Sequence, residues 1–189
     1  MSTIVFCLEE PSAWEMLRSL LPKLLPENVN AVPLIFEGKS DLDKRLVQRI
    51  RGWQAPNTHF LVLRDKDHSD CQMLKQSLVD KATEAGRADS IVRIACHELE
   101  TFYLGDLNAV ELGLEIKNVA KLQQKRKFRV PDDCANPSEE LEKLSGYTYQ
   151  KIAGSRTIAR HLKLDGTNRS HSFNVLVEGI QTLVARING

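Results

Sequence analysis

The stretch from His59 to Asp70, H-F-L-V-L-R-D-K-D-H-S-D, constrains the fold more than any other part of the chain. Residues 60–63 are apolar and include a β-branched valine, as in a strand buried within a parallel sheet. Asp65, Asp67 and Asp70 follow at once, and Ser69 stands where it can cap a helix. In open α/β sheets, ligands bind in the crevice beyond the carboxyl ends of the strands. The stretch therefore predicts a strand that delivers acidic side chains to a ligand-binding edge.

Asp65 and Asp67 are separated by a single residue. If the strand tip stays extended, both carboxylates point to the same side of the sheet. Two carboxylates aimed at one point repel each other unless a proton or a cation lies between them. Clustered carboxylate oxygens without a soft ligand favour Mg²⁺ or Mn²⁺ over zinc. The alternative, an acidic turn that complements a helix N-terminus, remains open at this stage.

Apolar runs at residues 3–8, 31–36, 59–63 and 90–95 alternate with amphipathic segments that begin near Ser12, Ser40 and Asp70. This βαβαβαβ order predicts an α/β fold with a parallel four-stranded sheet and helices on both faces. After Cys96 the strand signals stop, and helices are expected from Pro137, over residues 147–162 and over residues 173–187. We therefore expect an α/β domain at residues 1–105 and a helical C-terminal extension, residues 106–189, packed on it.

The composition, 42% hydrophobic and 27% charged over 189 residues, is that of an ordinary globular protein. No apolar run reaches the length of a membrane span, and residues 1–8 lack the basic region and cleavage site of a signal peptide. These features predict a cytoplasmic protein without a membrane partner, and they leave homo-oligomerisation open. The four cysteines are scattered without a C-x-x-C pair, which favours reduced thiols.

Acidic residues also follow two other predicted strands. Glu9 and Glu10 come after the first strand, and Glu98 and Glu100 come after the fourth. Because the carboxyl ends of parallel strands share one edge, these side chains should gather near the aspartates. The alternative for Glu9 and Glu10 is negative charge at a helix N-terminus, which contributes about 0.3–1 kcal/mol. In a helix Glu98 and Glu100 would point about 200° apart and only one could face the site, whereas an extended chain through Leu99 would allow both. We expect one to matter more than the other, and favour Glu100 because Phe102 and Tyr103 should fix the adjoining turn.

Basic residues form a second candidate surface. Lys39 stands at a helix start, where it could meet a phosphate, and Lys75 follows the aspartate stretch. Lys151, Arg156 and Arg160 recur at roughly helical spacing, and residues 117–129 are also basic. Such runs favour a nucleic-acid platform, an acidic surface of a partner protein, or simply a solvated helix face.

Several of these segments resemble one family. The glutamate after the first strand, the D-x-D after the third strand and the helices between them are similar to the Toprim domain of topoisomerases, bacterial primases and nucleases of the old-lysogenisation-defect type. A Toprim-like family of unknown function, often found beside SMC/ABC-type ATPases in bacterial defence loci, is more similar still. Its patterns resemble L-E-E-P-S at residues 8–12, F-E-G-K-S-D-L at residues 36–42, L-R-D-K-D-H-S-D-C-Q-M-L-K at residues 63–75, H-E-L-E-T-F-Y-L-G-D at residues 97–106 and S-H-S-F at residues 170–173. The resemblance covers nearly the whole chain.

The resemblance implies roles for particular residues. Glu9 takes the place of the Toprim glutamate, a general acid/base or metal-associated residue, and Asp65 and Asp67 take the place of the metal-binding pair. Toprim sequences usually have glycine after the glutamate and an acidic residue soon afterwards. Here Glu10 and Ala13 stand instead, which leaves open whether Glu9 or Glu10 acts.

The function expected from these features is phosphodiester hydrolysis. The protein would be a Mg²⁺- or Mn²⁺-dependent nuclease acting on DNA or RNA, with catalytic Glu9, Glu10 and Glu100 and with an SMC/ABC-type ATPase as partner in anti-phage defence. Two alternatives stay open: a non-catalytic Toprim-like module that binds the ATPase, and a phosphoryl-transfer enzyme that acts on a nucleotide.

Overall fold

One sheet of four parallel strands forms the centre of the molecule. The computed structural model describes residues 1–189, and its strands are β1 (Ser2–Leu8), β2 (Val29–Ile35), β3 (Thr58–Asp65) and β4 (Ile91–Ala95). They lie in the order β2-β1-β3-β4, and every neighbouring pair is parallel. The predicted α/β class and parallel four-stranded sheet are therefore confirmed, in an arrangement consistent with a Toprim-like fold.

The first three helices lie on both faces of this sheet. They are α1 (Pro11–Leu20), α2 (Lys39–Arg51) and α3 (Cys71–Glu84). The apolar side of α1 packs in one core cluster, whereas the apolar residues of α2 and α3 pack in the other. Ser69 does not cap α3 as predicted: Asp70 does so, by accepting a hydrogen bond from the Met73 amide at 2.9 Å. Asp70 therefore has a local structural role.

The second half of the chain is helical, as predicted. Its helices are α4 (Glu100–Leu104), α5 (Leu107–Gly113), α6 (Arg126–Arg129), α7 (Pro137–Leu144), α8 (Lys151–Ala159) and α9 (His171–Asn188). Their buried residues join the core cluster on the α1 face, so this half covers the part of that face that α1 does not cover. None of the helices combines the length and hydrophobicity that a membrane crossing requires.

The helix predicted over residues 147–162 is shorter in the structure, where α8 begins at Lys151. Gly146 and Tyr147 both have a backbone φ of 64°, in the left-handed region that ends a helix. The chain therefore turns sharply before α8. This turn determines which side chains of the C-terminal half reach the sheet edge.

Candidate functional site

The candidate site lies where the strand order reverses, between β1 and β3 at the carboxyl edge of the sheet. Strand β2 lies on one side of β1, whereas β3 and β4, which follow later in the chain, lie on its other side. Such a switch point opens a crevice in α/β sheets. Glu9 and Glu10 follow β1, and Asp65 ends β3, so all of them border this crevice.

Glu9 lies against a buried arginine. The Arg64 side chain, 4% exposed, donates from Nη1 to Glu9 Oε2 at 2.8 Å and approaches Asp43 of α2 at 3.4 Å. Burial raises the pKa of Glu9, although the Arg64 charge opposes that shift. The backbone amide of Asp65 lies 3.4 Å from Glu9 Oε2, which connects the ends of the two strands.

Asp67 does not continue the extended strand, so the expectation of an extended tip is wrong. Its φ is 50°, and its amide donates to the His97 carbonyl at 2.8 Å. The Asp67 carboxylate instead pairs with Lys39 at 2.9 Å and lies 3.8 Å from Arg64. Side chains alternate between the two faces only while a strand stays extended. Because the chain turns at Asp67, the Asp65 and Asp67 carboxylates need not point to the same side of the sheet.

Asp65 lies among carboxylates. Alternation along β3 places its side chain on the same face as Leu61 and Leu63, whereas Arg64 is on the opposite face with Val62. Burial raises the pKa of Asp65 well above its usual range, and the charges of Glu9, Glu100 and Glu10 add to the shift. Asp65 is therefore an electrostatically crowded acid, buried and close to three other carboxylates.

Glu100, in the first turn of α4, is completely buried. The Tyr149 hydroxyl donates to its Oε1 atom at 3.0 Å, while its buried Oε2 atom has no partner. Burial raises the pKa of Glu100. Glu98 has a different, structural role, because its Oε2 atom accepts a hydrogen bond from the Ser138 amide at the start of α7, at 2.9 Å. The geometry thus agrees with the expectation that Glu100, and not Glu98, faces the site.

Lys151 at the start of α8 closes the other side of the site. Its Nζ atom lies 2.8 Å from Glu10 Oε1. Burial disfavours the charged amine, but the charge of Glu100 and the hydrogen bond to Glu10 outweigh it and raise the pKa of Lys151. A cation from the C-terminal half therefore balances part of the acidic charge of the α/β half.

A comparison with protein families matches residues 8–181 to the family described as "Domain of unknown function (DUF4276)". The chain belongs to this family. No curated protein and no solved structure matches it. The DUF4276 match includes every site residue described above, from Glu9 to Lys151.

The other basic residues singled out in the DUF4276 sequence lie in different settings. Lys75 is on the exposed side of α3. Arg156 forms an ion pair with Glu15 of α1. Arg160 is exposed at the end of α8, and its carbonyl accepts a hydrogen bond from Lys23 at 2.8 Å. At least Lys151 and Arg156 therefore join the two halves of the chain.

Sequence reasoning missed two residues of the site. Arg64 has a signal in the sequence, since a charged residue inside an apolar strand needs a buried partner. Tyr149 has no such signal, because its contact with Glu100 joins residues far apart in the chain.

The chemical type of the acidic side chains in the site suits a hard divalent ion. Glu9, Asp65 and Glu100 offer only carboxylate oxygens, which Mg²⁺ and Mn²⁺ prefer, and the Oε2 atom of Glu100 lacks a partner. As the side chains stand, no three His, Cys, Asp or Glu residues are grouped closely enough to hold an ion. A site that also included Asp67 would require this residue to leave Lys39 and Arg64.

Proposed function

We propose that the chain is a divalent-metal-dependent nuclease of Toprim type that hydrolyses phosphodiester bonds of DNA or RNA in the cytoplasm. The observation that carries this proposal is that Asp65, at the carboxyl end of β3, is buried and lies within the electrostatic reach of Glu9, which follows β1, and of Glu100 in α4. Burial, and then repulsion by the neighbouring glutamates, raises the pKa of Asp65, and a bound cation would oppose both effects.

Glu9, Asp65 and Glu100 would hold the metal. When bound, Mg²⁺ or Mn²⁺ stabilises negative charge on a phosphoryl oxygen and lowers the pKa of a bound water. Lys39 and Lys151 flank these carboxylates on opposite sides, where each could contact a phosphate oxygen as a point charge. Glu10, held by Lys151, is an acid at the edge outside this metal set that could exchange a proton with the substrate or with water.

The partner is part of the same proposal. The resemblance to Toprim-like proteins encoded beside SMC/ABC-type ATPases supports an effector in anti-phage defence that acts with such an ATPase. Copurification of the two proteins, expressed together, tests this part separately from cleavage.

One observation favours a second function, a non-catalytic module that binds the ATPase. Arg64 already neutralises Glu9, and Lys39 already pairs with Asp67, so the chain's own cations occupy positions beside the acids. ATPase binding without cleavage by the assembled complex would favour this module over the nuclease.

Cleavage of labelled DNA and RNA, single- and double-stranded, tests the nuclease directly. We expect cleavage with Mg²⁺ or Mn²⁺ and none with EDTA. Because metal binding contributes several kcal/mol to such reactions, Asp65→Asn and Glu100→Gln should each lower the rate by about 100-fold or more. Glu27→Gln, at an exposed position before β2, is the matched control and should cleave normally. If the wild type cleaves and Asp65→Asn cleaves at the same rate, the assignment of this site is wrong.

Thermal unfolding provides a readout that does not depend on activity. A ligand that binds only the folded state raises the melting temperature. We expect millimolar Mg²⁺ or Mn²⁺ to raise the melting temperature of the wild type and of Glu27→Gln, but not of Asp65→Asn. Equal shifts in all three proteins would show that the ion binds elsewhere.

A further inference from the structure

A strongly basic segment lies outside the site described above. Residues 117–129 contain six cationic side chains and no carboxylate. We call these residues the basic segment; its cations are Lys117, Lys121, Lys125, Arg126, Lys127 and Arg129. Glu115 is the last acid before the segment and Asp132 the first acid after it. The local charge is therefore high although the whole chain carries a net charge of only +1.

The backbone of the basic segment is fixed by the core. Phe128 is 1% exposed and belongs to the core cluster on the α1 face. The Gln123 side chain accepts a hydrogen bond from the Leu107 amide and donates one to the Phe128 carbonyl, both at 2.7 Å. Glu111 accepts a hydrogen bond from the Val119 amide at 2.7 Å. The cations thus project from a held backbone, which lowers the entropy cost of contacts made by this surface.

These cations are exposed and mostly unpaired. All six are exposed, and only Lys127 forms an ion pair, with Glu140. On α8 the situation is the opposite, since Lys151 and Arg156 both pair with carboxylates of the α/β half. Unpaired like charges held close together repel one another and create a positive potential. The basic segment is therefore better suited than α8 to bind a polyanion.

Cavities border the segment on two sides. One, of about 560 Å³, is lined by Lys125, Arg126 and Lys127 together with Val130, Asp133 and Cys134. The other, of about 220 Å³, is lined by Ala120 and Gln123 of the segment together with Asp106, Lys163 and Arg169. Two cations outside the segment therefore lie beside it, together with one carboxylate.

Helix α7 connects the basic segment with the acidic site. The amide of Ser138 donates to Glu98, two residues before Glu100, and Glu140 in the same helical turn pairs with Lys127. One turn of an α-helix is about 5.4 Å long, so the two contacts of α7, at Ser138 and at Glu140, lie close together. One turn of α7 therefore joins Lys127 of the basic segment to Glu98, beside the acidic site.

We propose that the basic segment, and not α8, binds the phosphate backbone of the nucleic acid that the acidic site would cleave. The identification of the polyanion as nucleic acid rests on the proposed function. The location of the surface rests on the exposure, charge and fixed backbone of residues 117–129.

Binding measured without cleavage tests this assignment. The probes are a short fluorescein-labelled DNA duplex, its single strand and an RNA duplex of the same length, titrated in EDTA at several salt concentrations. The variant is Lys125→Gln/Arg126→Gln, and the control is Lys44→Gln/Arg49→Gln, which removes one lysine and one arginine from exposed positions of α2. Each phosphate contact contributes about 0.9 to the slope of log affinity against log salt on duplex DNA.

We expect the segment variant to lower the slope on the DNA duplex by about two and to weaken binding roughly tenfold or more near 0.1 M salt. The control should behave as the wild type. Equal effects of both variants, no effect of the segment variant, or a wild type that binds none of the three probes would overturn the assignment. Magnesium-dependent cleavage is measured on the same proteins. Binding through the segment without cleavage would reject the nuclease alone, whereas cleavage with unaltered binding would reject the segment alone.

Discussion

At the scale of single residues, Glu100 shows burial and charge in direct conflict. The residue is completely buried, accepts one hydrogen bond from Tyr149, and lies near the crowded Asp65. Burial raises its pKa above the usual value, so ionised Glu100 destabilises the folded state relative to an exposed glutamate. Ionisable groups whose pKa is perturbed by burial cluster at functional sites, which makes Glu100 a candidate for binding or catalysis.

This conflict predicts a pH-dependent effect of Glu100→Gln. Because the folded pKa is the higher one, the folded state binds the proton more tightly. The protonated Glu100 therefore contributes to the free energy of unfolding below the pKa that it has in the unfolded chain. This contribution is lost as the pH rises through its pKa in the folded protein. In EDTA, urea denaturation should show Glu100→Gln to be more stable than the wild type at about pH 8, by about 1.4 kcal/mol for each pKa unit, with little difference near pH 4.5.

Glu27→Gln serves as the exposed control for this comparison and should match the wild type at both pH values. A Glu100→Gln protein that is less stable than the wild type at the higher pH would mean that the ionised carboxylate is well compensated by Lys151 and Tyr149.

At the scale of elements, the beginning of α8 decides how the C-terminal half completes the site. Tyr149 and Lys151 both approach acids of the α/β half. Gly154, one helical turn later, leaves room for the Tyr149 ring: a Cβ atom there would collide with the ring atoms Cε2 and Cδ2. The absent side chain is thus what allows Tyr149 to lie against α8 while its hydroxyl reaches Glu100.

Gly154→Ala should therefore destabilise the protein, although alanine is the better helix former by up to about 1 kcal/mol. The expected cost is about 1–3 kcal/mol from overpacking against Tyr149. Tyr149→Phe removes only the hydroxyl and should cost about 1–3 kcal/mol, because Glu100 loses its buried donor. Urea denaturation measures both effects. If Gly154→Ala is as stable as the wild type or more stable, the ring has free space that the structure does not show.

At the scale of the whole molecule, two cores lie on opposite faces of one sheet. The cluster on the α1 face has 32 buried residues drawn from both halves of the chain, and the cluster on the α2 face has 13. Each face has one of the two tryptophans packed against its core: Trp14 on the α1 face and Trp53 on the α2 face. Since the sheet belongs to both cores, neither core can unfold without exposing the other.

We expect a single unfolding transition. In Trp53→Phe the fluorescence reports the α1 face, and in Trp14→Phe it reports the α2 face. Within each variant, the denaturation curve from fluorescence should coincide with that from far-ultraviolet circular dichroism, as in two-state unfolding. Separate transitions in either variant would show that one face unfolds independently, as two domains divided near residue 105 would do.

The fold follows from local patterns in the sequence. Apolar runs separated by amphipathic segments determine four strands and their connecting helices, and the handedness of parallel connections then restricts how the sheet is built. The same rule brings Glu9, Asp65 and Glu100 to one edge, since the carboxyl ends of parallel strands meet there. These features depend on neighbours in the chain, so they can be read without a structure.

The pairing of side chains depends on segments far apart in the chain, and only the tertiary structure decided it. The left-handed turn at Asp67 separates this residue from Asp65 and directs it to Lys39. The turn before α8 brings Tyr149 to Glu100 across 49 positions of sequence. Spacing in the sequence predicts which face of a helix or strand a residue occupies. The partner that this residue contacts depends on how distant elements pack together, and the local sequence does not encode that packing.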